Sequence, residues 1–230
     1  FLQAYAEGVD TLLSQRIDPG RSQAMERVLS TAMDRAGLSA SEMDLIDIYS
    51  CFPSAVTAAC EVLDLPTDGS RDLTVTGGLP YFGGPGNNYS THALAEMAVR
   101  LRGQPSRALV TANGGILSKH AAAVLTSDPA CASAIDWHDS DGLIVDCSDI
   151  PTRAIAANPA SGKVLSYTLV TRRDKADIAI VLAETDTGER FVASSTEPAI
   201  TGAVASSSPI GRGISVAKQE QRLLFHFQRT

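Results

Sequence analysis

The sequence is short of the features that would make its function easy to read. Its four cysteines (Cys51, Cys60, Cys131 and Cys147) form no CxxC pair, and none has a histidine partner at zinc-ligand spacing. That argues against a disulfide-stapled scaffold and a structural zinc site, and it sets a reducing, cytoplasmic compartment as the expectation. Long apolar runs are missing too. The longest uncharged stretch, Leu73–Ala95, is broken by five glycines, two prolines and two asparagines, so no membrane helix is expected. There is no excess of positive charge. Net charge is -7, made of -10 over residues 1–150 and +3 over residues 151–230. The acidic first part argues against nucleic acid, and +3 is too weak to argue for it. A nucleophile elbow (GxSxG) is absent. So are a start methionine and a leader. The chain opens on Phe1, which suggests a processed chain or a piece of something longer.

What remains is an ordinary globular composition, 44% apolar and 20% charged over 230 residues. FLQAYAEGVDTLL at the start reads as helical. Ala24/Met25, Val28/Leu29, Ala32/Met33 and Ala36 recur at helical spacing and predict a helix within Gly20–Gly37, stopped by Gly37. Ser39 or Ser41 then caps or turns the chain into a short buried strand, Leu45–Tyr49. Pro53 opens a second helix, with Ala55, Val56, Ala59, Val62 and Leu63 inward, which Pro66 and Gly69 close. After Leu73–Val75 comes a glycine-rich stretch, TGGLPYFGGPGNNY, and then a helix over Ser90–Arg102. Two strands follow, Arg107–Thr111 and Ala121–Leu125, joined through an NGG turn.

This alternation predicts a layered α/β domain over residues 1–127. Residues 128–161 read as a polar linker. From residue 162 the pattern becomes short β-branched runs: Val164–Thr171, Ile178–Glu184, Arg190–Ala193 and Gly213–Ala217, with a DTGER turn between two of them. These predict a small all-β barrel over residues 162–230. The shift in charge near residue 150 points to the same change of module.

Three places could carry chemistry. Clustered glycines before a helix allow close backbone approach to a ligand, or simply a tight turn. The phosphate-loop and dinucleotide patterns both fail here, for want of GK[ST] and of the right glycine spacing. Cys51 precedes Phe52-Pro53 and the start of a helix. A thiol there meets the positive end of the helix dipole, which favours thiolate; the alternative is a small buried apolar cysteine. His92 enters the helix after the glycine stretch and His120 follows NGGILSK. Each is a pocket residue or a structural one. His138 and His226 have no evident partners.

Taken together, DLIDIYSCFPSAVTAACEVL, TGGLPYFGGPGNNYSTHALAEMAVRLR and ALVTANGGILSKHAAAVL resemble the C-terminal half of a thiolase. The closest likeness is to the sterol-carrier-protein-type branch and the thiolase-like proteins of actinobacteria. In that branch an HDCF motif, a GGLxxxGHP loop with its helix, and a glycine-rich turn come in this order. The resemblance implies a layered α-β-α thiolase half followed by an additional OB-like barrel.

It also implies site residues. Cys51 matches the HDCF cysteine, the acid/base of that branch, with Tyr49 and Ser50 in place of its His and Asp. Gly84 stands where the GHP histidine binds the thioester oxygen, and the CxGGG cysteine has no counterpart in Thr111–Gly115. The acyl-accepting cysteine belongs to the N-terminal thiolase half, which these residues do not include.

The expected catalytic set is Cys51, Tyr49 and His92. Gly83, Gly84, Asn87, Asn88, Asn113, Gly114 and Gly115 are expected to line the substrate. The expected substrate is a coenzyme A thioester with no separate cofactor or metal, and the expected partner is a second copy or an N-terminal half. The expected activity is acyl-CoA C-acyl transfer. Its alternatives are a retro-aldol cleavage with Tyr49 or Tyr81 moving the proton, and a non-catalytic acyl-CoA- or partner-binding role.

Overall fold

In the computed structural model, which describes residues 1–84, 86–132 and 142–228, the opening segment is a strand and not a helix. Leu2–Val9 (β1) alternates: Ala4 and Ala6 are buried while Tyr5 and Glu7 lie on the other face. Its alanines and glutamate favour a helix locally, but ladder pairing overrides that preference. Gly8 shows how tightly the strand is packed. A Cβ there would lie 2.9 Å from Val28 Cγ2.

The structure divides into two compact units, Phe1–Leu13 with Gly20–Ile150, and Ser14–Pro19 with Pro151–Thr230. In the first unit the sheet order is β1-β4-β3-β2, with β2 at Leu45–Asp47, β3 at Arg107–Gly114 and β4 at Lys119–Thr126. β1/β4 and β4/β3 are antiparallel, and β2/β3 is parallel.

Helix α1 (Gln23–Ala36) starts on Ser22, whose hydroxyl accepts from Met25 N–H, and stops at Gly37 in the left-handed conformation. Helix α2 (Pro53–Leu63) begins with proline in its first turn. Both pack on one face: Val28, Leu29, Ala32 and Ala59 share a core with Ala4, Ile46, Leu109 and Val124. Helix α4 (Tyr89–Arg100), preceded by the single turn α3 (Leu79–Phe82), covers part of the other face through Ala93 and Met97 against Ala108 and Val110. Helices thus lie on both faces of the sheet. Strand ends near the site differ from the sequence reading. β2 stops at Asp47 and β3 runs on to Gly114, so Tyr49–Cys51 form a connection rather than a strand end.

The second unit is a closed barrel of five strands in the order β5-β6-β7-β9-β8. These are Ser161–Val170 (β5), Ile178–Glu184 (β6), Arg190–Ser195 (β7), Gly213–Gln219 (β8) and Arg222–Phe227 (β9). Val164, Val181, Phe191, Ile214 and Phe225 fill it. The all-β expectation needs correcting. Helix α5 (Pro198–Ser206) lies between β7 and β8 and contributes Ile200 and Val204 to the same core. Arg190 is buried within this unit, donating to the carbonyls of Arg16 and Ile17 and pairing with Glu184 at 3.2 Å. Among the described residues no helix is long and apolar enough to cross a membrane.

Candidate functional site

The site begins at the end of β2 with a buried carboxylate that the sequence reading passes over. Asp47 is fully buried, and its Oδ2 collects four donors from the chain entering the glycine stretch. They are Thr74 Oγ1 (2.8 Å), Val75 N (2.9 Å), Thr76 Oγ1 (3.1 Å) and Thr76 N (3.2 Å). Thr76 Oγ1 also lies 2.5 Å from the hydroxyl of Tyr89, the first residue of α4. One side chain therefore fixes the root of the glycine loop and, through Thr76, the start of the helix beyond it. A charged residue inside the apolar run DLIDIYS was the signal available for it.

The glycines that follow have a geometric cause. Gly77 and Gly78 have φ of 83° and 78°, where side chains are strained, and a Cβ on Gly78 would sit 2.8 Å from Ser50 Oγ. Ser50 in turn accepts from Leu79 N–H at 3.3 Å, orienting α3. Gly78→Ala is expected to cost about 1–3 kcal/mol through strain and clash together. Chemical denaturation would measure this, and a loss below about 0.5 kcal/mol would show the loop to be tolerant. Gly83, Gly84, Asn87 and Asn88 lie exposed beyond α3.

Three of the expected site residues are brought together. The Cys51 thiol donates to Asn113 Oδ1 at 3.0 Å, and Asn113 Nδ2 donates to the Tyr49 carbonyl at 3.3 Å. The Tyr49 amide donates to Thr111 Oγ1 at 3.1 Å. The Tyr49 ring leans on Tyr89 with centroids 5.0 Å apart and planes tilted by 38°. Burial raises the Tyr49 phenol above its ordinary value, and the neighbouring Cys51 and Tyr89 push it the same way. Tyr49 is therefore a neutral phenol at neutral pH, able to donate a hydrogen bond, and not an anion. Gly114 ends β3, and Gly115, with φ of 62°, turns the chain towards β4.

His92 is occupied elsewhere. Asn88 Nδ2 donates to its Nε2 at 3.0 Å and Phe82 meets its ring edge-on at 5.3 Å. It bonds to none of Cys51, Tyr49 and Asn113. His120 is buried, with Nε2 2.9 Å from Ser22 Oγ and 3.1 Å from the Leu117 carbonyl. Ser22 Oγ donates in turn to Asp10 at 2.5 Å, so His120 belongs to the network that holds the start of α1. His226 pairs with Glu197 at 3.5 Å in the second unit, and His138 lies outside the described residues.

A concavity of about 330 Å³, lined by Asn113, Gly114, His120, Glu7 and Ala121, opens beside the polar cluster. A larger hollow of about 790 Å³, lined by Leu101, Leu125 and Thr126, contains none of the candidate residues. Asn113 and Gly114 line the smaller one, whereas Cys51, Tyr49 and His92 do not; Cys51 is linked to it through its bond to Asn113. Among the described residues no group of three or more His, Cys, Asp and Glu side chains could hold a metal ion.

No family model matches the chain, and no curated protein matches it. Solved structures do. A monomeric SCP2-thiolase-like protein type 1 from Mycobacterium smegmatis is 34% identical, with a TM-score of 0.88, over 99% of this chain and 50% of that one. Human mitochondrial 3-ketoacyl-CoA thiolase is 22% identical over 55% of this chain and 30% of its own, with a TM-score of 0.39. The chain spans about half the length of the mycobacterial protein. Over nearly its whole length this chain is thus similar, in sequence and in fold, to half of an SCP2-thiolase-like protein.

Proposed function

We propose that the chain is the part of a thiolase-like acyl-CoA C-acyltransferase that moves the proton, with Cys51 as its acid/base. The observation that supports this most directly is the convergence on one thiol. Cys51 is half-buried, bonded to Asn113, flanked by neutral Tyr49 and placed ahead of α2. Breaking or forming a carbon–carbon bond beside a thioester needs such a proton-transfer group. It also needs a nucleophile and donors for the enolate oxygen. The substrate would be an acyl thioester of coenzyme A, with no further cofactor. Tyr49 and the exposed amides of Asn87 and Asn88 are the available donors, because Gly84 has no side chain to offer.

The nucleophile would come from a further half of a longer chain. The relative twice this length is described as monomeric, which favours that arrangement over a pair of copies. The barrel would be the additional, OB-like domain of such proteins.

A binding-only role is the second reading, favoured by the engagement of His92 with Asn88 and Phe82. The test mixes the chain with an acyl-CoA and coenzyme A, with and without an N-terminal thiolase-like half. Turnover is expected only with that half, and Cys51→Ala should reduce it about 10²–10⁴-fold. Turnover that survives Cys51→Ala would overturn the assignment. Calorimetric binding of the thioester with no turnover in either mixture would establish the binding-only role.

A further inference from the structure

We propose that Asn113 is the positioning residue that aims the Cys51 S–H bond, so that the first act of the site is to give a proton. The acyl-thioester reading above supplies only what receives that proton; the pairing itself stands on geometry. Cys51 Sγ donates to Asn113 Oδ1 at 3.0 Å. The amide is held in this orientation by its other end, because Nδ2 donates to the Tyr49 carbonyl at 3.3 Å. Turning the amide over would set its oxygen against that carbonyl oxygen. Tyr49 is itself fixed, with its own N–H on Thr111 Oγ1 at 3.1 Å. The backbone thus decides which amide atom meets sulfur, and that atom is an acceptor.

A carbonyl oxygen accepts from a thiol and has no proton to give to sulfur, so the pairing sets the thiol as the donor. The titratable neighbour is Tyr49, which burial holds neutral. Among the described residues no lysine, arginine or histidine bonds to Cys51 to draw its proton away. In the step this prepares, the S–H bond breaks and the proton passes to the carbanionic carbon of an enolate. The electron pair stays on sulfur, and the next proton comes from water.

Site-resolved alkylation tests this without any acyl-CoA substrate, so its failure is distinct from failure of the acyltransferase reading. Iodoacetamide labelling is followed by peptide mapping at one mildly alkaline pH, with Cys147 as the internal reference. Asn113→Ala removes the acceptor and should raise the Cys51 labelling rate about three- to tenfold relative to Cys147. Asn113→Asp places a carboxylate on the thiol and should lower the rate by about tenfold. Circular dichroism checks that both variants are folded. Opposite movements support the proposal. Rates that stay within about twofold of the parent, or that move in the same direction, overturn it.

Discussion

Phe191→Ala is expected to destabilise the barrel by about 3–5 kcal/mol, measured by chemical denaturation with circular dichroism and by hydrogen exchange in β6 and β7. Phe191 is 2% exposed at the centre of the core built from Val164, Val181, Ile214 and Phe225. Its ring occupies space that another residue gives up. A Cβ on Gly162 would lie 2.8 Å from Phe191 Cε1 and 2.9 Å from Cζ. Removing the ring leaves a hole lined by rigid strands of a closed sheet, which leaves little room for collapse.

The reciprocal change should also destabilise, for the opposite reason. At Gly162 an added Cβ would also come within 2.7 Å of the Glu184 carbonyl, a backbone atom that cannot swing aside. Gly162→Ala therefore overpacks, at a cost of about 1–3 kcal/mol. Combining the two relieves the ring contacts but not the carbonyl contact, so the double variant should lose less than the sum of the singles. A loss below about 1 kcal/mol for Phe191→Ala would mean that the core closes over the gap.

Four of the five barrel strands were legible, and Arg222–Phe227 was not. Ile178–Glu184 and the run from Arg190 carry β-branched or alternating apolar residues bounded by a DTGER turn, a signal that needs no distant partner. Helix α5 escaped because PAITGAVAS has no polar face to give it a helical period, and a mostly apolar helix reads like a loop or a strand. The opening strand escaped for a related reason. Ala4 and Ala6 are small residues with high helix propensity, and only pairing with Ala122 and Val124 turns their alternation into a buried face.

At the site the division follows sequence distance. Cys51 is legible from its place two residues before Pro53. Its bond to Asn113 spans 62 positions and exists only because β2 and β3 run parallel side by side. The thiolase resemblance implied Asn113 as a substrate contact; the structure bonds it to Cys51 and Tyr49. His92 lies next to the glycine loop in sequence, but its hydrogen bond runs to Asn88 and its ring contact to Phe82.

The other large effect is expected at Asp47. Asp47→Ala leaves two backbone amides and two threonine hydroxyls without their common acceptor in a half-buried setting. Bonds to a charged acceptor are worth about 1.5–3 kcal/mol each, but they are not independent and the hydroxyls can find other partners. A total loss of about 3–5 kcal/mol follows, with the damage concentrated in the loop it anchors. Limited proteolysis should then cut between Gly77 and Asn88 well below the unfolding midpoint, since Thr76 also holds Tyr89.

Asp47→Asn separates charge from shape. The amide oxygen can still take the Oδ2 position, but the NH₂ group would then replace Oδ1, which is buried and has no hydrogen-bond partner among the described residues. The expected cost is the smaller one of a single stranded donor group, about 1–3 kcal/mol. If asparagine costs as much as alanine, the negative charge itself holds the threonines. If alanine costs less than about 1 kcal/mol, the loop is anchored by its glycine geometry and the carboxylate is incidental. Activity should follow the loop rather than global stability. With Asp47→Asn folded and assayed together with the N-terminal half well below its unfolding midpoint, turnover should fall, because the buried Tyr89 ring that supports Tyr49 has its hydroxyl held by Thr76.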